Sequence, residues 1–235
     1  MIDRVHRIPR LWSNQELGRF AHLFRGDVVN VSGWTDTDKQ GRCYKDYFRA
    51  AQTCTITNFE SDKRGYQGSE GEVFLDLTKP LDPYLVGRFD LVFNHTTLEH
   101  IFDVNTAFHN LCAMSNDVVI LVVPFLQPQH SHYGDYWRFT PEAVIRMFER
   151  ESLTVAYLNF NDHFRSSVYI FSIAVKDAQK WRGLLPFKSR LKDEQRQFLN
   201  EPFAGCNGIH RDRWSALMCR FPRVYRLLKR RQERG

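Results

Sequence analysis

The chain has 235 residues, 43% of them hydrophobic and 26% charged, with a formal net charge of +6. That composition suits a soluble globular protein with one sizeable core, and no apolar run reaches the roughly 18–20 residues that cross a bilayer. The charge is uneven: residues 176–235 hold 16 Lys and Arg against 6 Asp and Glu, a balance of +10, while the rest holds 17 against 21, a balance of −4. A basic extension therefore follows an acidic body, and it calls for an anionic partner or for docking on that body.

The start, Met1-Ile2-Asp3-Arg4, leads into a polar stretch and not into the apolar core of a signal peptide, so a cytoplasmic protein is expected. Five scattered cysteines form no Cys-x-x-Cys pair. They imply neither a disulfide framework nor a zinc ribbon, and no metal ligand set at defined spacing is evident.

In chain order, Ser13-Asn14-Gln15-Glu16 has the form of a capping box, which predicts a helix over 13–25 ending at Gly26. Val28 to Val31 is a short apolar strand running into Ser32-Gly33. Tyr44 to Ala51 is read as helical, and Thr53 to Thr57, rich in β-branched residues, as a second strand. Glu72 to Asp76 and Phe89 to Phe93 give a third and a fourth. Leu98 to Met114 places Leu98, Ile101, Phe102, Phe108, Leu111 and Cys112 on one side and predicts an amphipathic helix. Val118 to Val123 is continuously apolar, as a strand buried on both faces must be. Thr140-Pro141 starts a helix to about Arg150, and strands follow at Leu153 to Phe160 and Val168 to Val175. Alternating strand and helix predicts an α/β fold with a mostly parallel sheet and helices on both faces. The last two strands predict an antiparallel edge hairpin.

Ligands of such sheets bind outside the carboxyl ends of the strands. Phe89-Asp90-Leu91-Val92-Phe93 followed by Leu98-Glu99-His100 resembles the fourth-strand signature of class I S-adenosylmethionine (SAM) methyltransferases of the type 11 kind. The strand order, Asp76-Leu77 and the strand running into Pro124 are also similar, over residues 28–175. The spacing of Gly33, Asp38-Lys39-Gln40-Gly41 and Tyr44 to Phe48 resembles a subgroup associated with polysaccharide biosynthesis. The resemblance implies a Rossmann-like, seven-stranded methyltransferase domain over 1–175, a basic, mostly helical extension over 176–235, and SAM as cofactor. It further implies that Gly33 and Trp34 face the methionine part. Asn58 or Glu60, with Phe59 between them, would bind the ribose hydroxyls; the carboxylate suits two hydroxyls better. Asp76 and Leu77 would approach the adenine, and Asn94 and His95 would lie beside the cofactor. The first turn departs from the family in having one glycine where several are usual.

Pro124 to Pro141 is the densest chemical stretch, and its His130…Asp135-Tyr136-Trp137-Arg138-Phe139-Thr140-Pro141 pattern resembles the same subgroup. Methyl transfer to an alcohol needs a proton acceptor, a task for a neutral histidine. The expected base is His130 or His132, with Asp135 orienting it or binding substrate and His95 in reserve. Arg138 would pair with an anionic group, and Tyr136 or Trp137 would stack on a sugar ring. The expected activity is thus SAM-dependent O-methylation of a glycan or surface-polysaccharide hydroxyl. Its rivals are a catalytically inactive scaffold in glycan assembly and a nucleic-acid methyltransferase, although no RNA or DNA motif accompanies the basic tail. Residues 221–235 have apolar positions at helical spacing ringed by arginines. They suit either an anionic membrane surface on the inner face or docking on the acidic body.

Overall fold

The computed structural model describes residues 3–38, 40–60, 65–130, 134–161, 163, 165–189 and Gly205. The expected extension beyond residue 189, apart from Gly205, and with it the 221–235 segment, lies outside the described residues.

The sheet contains β1 (Gly26–Val31), β2 (Ala51–Asn58), β3 (Glu72–Phe74), β4 (Phe89–His95), β5 (Ser115–Leu126), β6 (Thr154–Phe160), β7 (Val168–Val175) and β8 (Lys188–Ser189). Among the described residues the α-helices are α1 (Arg7–Phe20), α2 (Val104–Met114), α3 (Pro141–Arg150) and the single turn α4 (Ala178–Trp181). The strand order is β3-β2-β1-β4-β5-β7-β6-β8. Strands β1 to β5 pair in parallel, and β7 runs antiparallel to both β5 and β6. The seven expected strands and the late hairpin are present; an eighth, of two residues, adds to β6 in parallel.

Strand alternation sorts the core into two layers. Val119, Leu121 and Val123 of β5 face a layer with Phe108 and Leu111 of α2 and Val144 and Phe148 of α3. Val118, Ile120 and Val122 face the other layer, with Leu17 and Phe20 of α1, Tyr44 to Phe48 and Trp181 of α4. Burial on both faces explains why β5 reads as an unbroken apolar run. Residues 176–189 belong to this body: Trp181 packs on Phe24 and donates from Nε1 to Asp117 (2.9 Å).

Three expected helices are revised. The first spans Arg7–Phe20 and not 13–25, so Ser13 and Glu16 are interior positions. Asp3 Oδ1 accepts from the Val5 and His6 amides just upstream, and Pro9 falls in the first turn, where a missing N–H costs nothing. Over 44–51 only Tyr44–Asp46 forms a helical turn, and Asp36 takes the Tyr44 and Lys45 amides (2.7 and 2.9 Å), holding the segment to the β1 turn. The helix expected over 98–114 breaks in two. Leu98–His100 is a 3-10 turn, and α2 starts afresh at Val104, capped by Asp103, whose carboxylate accepts from the Thr106 amide. The cause is the loop alongside: the Glu99 carbonyl accepts from the Tyr136 and Trp137 amides, and the Ile101 and Phe102 carbonyls accept from Trp137 Nε1. Those carbonyls are lost to the helical ladder. Phe102, expected on the apolar side, is 73% exposed.

Candidate active site

The carboxyl ends of β1, β2 and β4 carry the residues expected to meet a nucleoside. After β1 the chain turns through Ser32, Trp34 and Asp36, all at positive φ (56°, 49° and 56°) without being glycine. The turn is held by its own bonds. Gly33 N donates to the Thr57 carbonyl (3.2 Å), Trp34 N to Asn58 Oδ1 (2.7 Å), and Asn58 Nδ2 returns to the Trp34 carbonyl and to Glu72 Oε1 (3.1 and 2.6 Å). Asp36, buried, accepts from Asn30 Nδ2 at 2.8 Å. Gly33 is required there because a Cβ would stand 2.5 Å from that same Asn30 nitrogen. The turn is therefore a closed clasp, not a cradle of free amides.

Of the two rivals for the ribose hydroxyls, Asn58 is committed to this clasp, and Glu60 is exposed at the end of β2 with a left-handed backbone (φ 44°). Trp34 in the β1 turn and Phe59 next to Glu60 in the chain both expose their rings. Asp76 Oδ1 caps the next turn, accepting from the Thr78 amide and hydroxyl (2.9 and 2.7 Å), and Leu77 is buried. Asn94 is wholly buried and ties β4 to the Val31 carbonyl (3.0 Å). His95 meets Ser13 Oγ at 2.8 Å and Thr96 Oγ1 at 3.1 Å, and its burial pushes the imidazole down to about 3, keeping it neutral.

A second group lies where the 98–100 turn meets the loop after β5. Glu99 is 1% exposed and, among the described residues, its Oε2 has no hydrogen-bond partner. Removal from water raises its carboxyl to about 8. His100 Nδ1 lies 2.6 Å from the Gly134 carbonyl, and its Nε2 lies 3.8 Å from Glu99 Oε1. His130 stacks edge-on against His100, ring centroids 5.3 Å apart. Asp135 accepts from both terminal nitrogens of Arg138 (2.6 and 2.7 Å) and from the His130 amide (2.8 Å), and the His130 ring nitrogen Nδ1 stands 3.5 Å away. Arg138 also donates to the Gln127 and Pro128 carbonyls. The guanidinium thus straps the loop from inside, with Asp135 as its anion, and holds the Asp135 carboxyl down to about 2. Tyr136 and Trp137, both exposed, group with Phe102 around one surface point. His132 lies outside the described residues.

Helix α1 contributes what the sequence did not announce. Its buried face carries Ser13, Asn14 and Glu16 among Leu17 and Phe20. Ser13 meets His95, and Asn14 donates to Asp38, which also accepts from the Tyr47 hydroxyl. The Arg10 charge acts on His95, Glu99 and Tyr169. The available signal was a run of polar residues on an otherwise apolar helix face.

No family model matches the chain, and no curated protein matches it. Solved structures do. A Bacillus halodurans protein described as a methyltransferase superposes with a TM-score of 0.50 at 10% identity, over 70% of this chain and 98% of that one. A chain of the Haloferax volcanii complex between the Trm112 methyltransferase activator and a methyltransferase gives 0.51 at 13% identity, over 71% and 90%. Strand order and these superpositions agree: the chain has the Rossmann-like fold of methyltransferases.

Proposed function

We propose that the protein is a SAM-dependent methyltransferase acting on a hydroxyl of a sugar or glycan. The observation that carries the first part is the sheet itself, five parallel strands continued by β7, which runs antiparallel to them, and by β6 antiparallel to β7, with polar and aromatic side chains at the carboxyl ends of β1 and β2. The residues present fit the nucleoside half of SAM. Glu60 offers two acceptors to vicinal hydroxyls, Trp34 and Phe59 offer ring faces, and Asp76 stands at the next strand end. SAM, when bound, supplies an electrophilic methyl group and its own leaving group.

The chain's own part is to place the acceptor and take its proton. The aromatic surface of Phe102, Tyr136 and Trp137 gives an acceptor ring a face to rest on. The imidazoles of His100 and His130 lie at the inner side of the same loop and are the groups that receive the hydroxyl proton. His95 is too weak a base for that work, since burial holds it near 3. The Asp135–Arg138 strap ties the Gln127 and Pro128 carbonyls and the His130 amide together and so sets the position of His130.

A non-catalytic scaffold is the second reading, favoured by the β1 turn spending its amides internally. The test is transfer of radiolabelled methyl from SAM to a panel of glycans. His130→Ala together with His132→Ala should abolish transfer while SAM binding persists. Full turnover by that variant refutes the assignment of His130, and absence of both binding and transfer in the unaltered protein favours the scaffold.

A further inference from the structure

The three side chains Glu99, His100 and His130 each offer a ligand atom, and these atoms all lie within 4.8 Å of one another. No spacing rule finds them, because thirty residues separate the two histidines; only the break at 98–100 and the return of the loop after β5 bring them together.

Their protons are arranged for a cation. The Gly134 carbonyl can only accept, so His100 Nδ1, 2.6 Å away, carries the ring proton, and the lone pair falls on Nε2, the nitrogen facing Glu99. His130 is arranged alike: Nδ1 points at the Pro128 carbonyl (3.3 Å) and at Asp135 (3.5 Å), two acceptors, which leaves the lone pair on Nε2. An imidazole whose other nitrogen donates to a carbonyl or carboxylate is the usual companion of a metal-ligating histidine. His6 has the opposite arrangement: its Nδ1 faces Gln127 Nε2 (3.1 Å), a donor, so it is set as an acceptor there.

The independent sign is Glu99. A buried carboxyl oxygen without a hydrogen-bond partner is costly, and among the described residues Glu99 Oε2 is such an atom. Arg138 does not reach it, being consumed by Asp135. The Arg10 and Arg138 charges both act on Glu99, with Asp135 opposing them, so a cation here is held more loosely than in an all-anionic site.

We propose that Glu99, His100 and His130 bind a divalent transition-metal ion, with zinc as the chemistry these ligands suit. Two histidines and a glutamate with a position left open make a three-ligand set of the catalytic zinc kind. Bonds of about 2.0–2.2 Å place the donors roughly 3.3 Å apart, so donor pairs now within 4.8 Å close by up to about 1.5 Å on binding, through rotation of His100 and His130. A hydroxyl bound at the open position would lose its proton to solvent, the O–H electron pair staying on the oxygen that the ion holds. That last step rests on the methyl-transfer reading, with the ion taking over from the imidazoles as activator; the binding itself does not.

The test uses the full, untagged chain stripped with chelator and titrated with zinc chloride, in parallel with Co²⁺ monitored by visible absorption. The expected result is one ion per chain, Co²⁺ bands typical of four- or five-coordinate nitrogen and oxygen ligation, and a zinc-dependent rise in Tm. His130→Ala and Glu99→Gln each weaken binding by about a hundredfold, and His109→Ala, which breaks the surface pair with Glu151, leaves it unchanged. Far- and near-ultraviolet circular dichroism verifies that each variant is folded. No binding by the unaltered chain, or undiminished binding in folded His130→Ala and Glu99→Gln, overturns the proposal. A separate titration with S-adenosylhomocysteine distinguishes loss of the ion from failure of the SAM reading.

Discussion

Replacing Asp135 by asparagine tests how the loop after β5 is held. The carboxylate takes both terminal nitrogens of Arg138 and the His130 amide, and its side chain is only 2% exposed. The Arg138 hydrogen bonds bring its carboxyl from an ordinary 3.8 to about 2, and at 1.36 kcal/mol per unit that difference corresponds to about 2 kcal/mol. The figure lies between the 0–1 kcal/mol of an exposed pair and the 3–5 kcal/mol of breaking a fully buried one, as suits a guanidinium that keeps 25% of its side chain in water. Asparagine preserves shape and one acceptor but not the charge. Urea unfolding at pH 7 should therefore show Asp135→Asn less stable by about 2 kcal/mol, with Tm lower by roughly 4–8 °C. A depressed carboxyl stabilises the fold fully above its unfolded value and progressively less as pH falls toward its folded one. The gap between the two proteins should stay constant from about pH 7 to 5 and narrow below about pH 4. A loss under about 0.5 kcal/mol at pH 7, or a gap that does not shrink in acid, would refute the strap.

Other outcomes follow from individual contacts. Gly65→Ala would put a Cβ 1.8 Å from the Glu60 carbonyl oxygen, so the close approach of Gly65 to Glu60 must open. Reduced thermal stability and faster proteolysis there are expected, and an unchanged melt contradicts them. Trp181→Ala removes a buried ring that packs on Phe24 and donates to Asp117, which should cost about 3–5 kcal/mol in urea unfolding. A loss below about 1 kcal/mol would mean that residues 176–189 are not part of the body. Glu60→Ala, at an exposed position, should leave unfolding unchanged within about 0.5 kcal/mol and weaken S-adenosylhomocysteine binding by about tenfold in calorimetry; equal affinity would remove Glu60 from the site.

What the sequence disclosed follows the physics of each element. Strand β5 was legible because burial on both faces leaves no polar position from Val118 to Val123, and α3 because Thr140 and Pro141 act locally, the threonine oxygen accepting from the Ala143 amide. The helix over 98–114 was misjudged because its break is imposed from outside. Side chains and amides at 136–137 take carbonyls that the apolar pattern alone assigns to a helix. The capping-box pattern at Ser13 was overridden by tertiary demand: Ser13 turns to His95, and Glu16 meets the Tyr157 hydroxyl at 2.5 Å and pairs with Arg19. Asn58 illustrates the limit at the site. Residue type makes it as fit for a ribose as Glu60, and only the fold shows that its amide is spent on Trp34 and Glu72. The grouping of Glu99, His100 and His130 could not be read from spacing, since it depends on two loops meeting.

The central claim is that the carboxyl edge of β1, β2 and β4 holds SAM, and calorimetric titration of the full chain with S-adenosylhomocysteine, paired with a thermal-shift measurement, tests it most directly. Saturable one-to-one binding that raises Tm and is weakened by Glu60→Ala is the predicted result. A folded protein that gives neither heat nor a shift in Tm would contradict it.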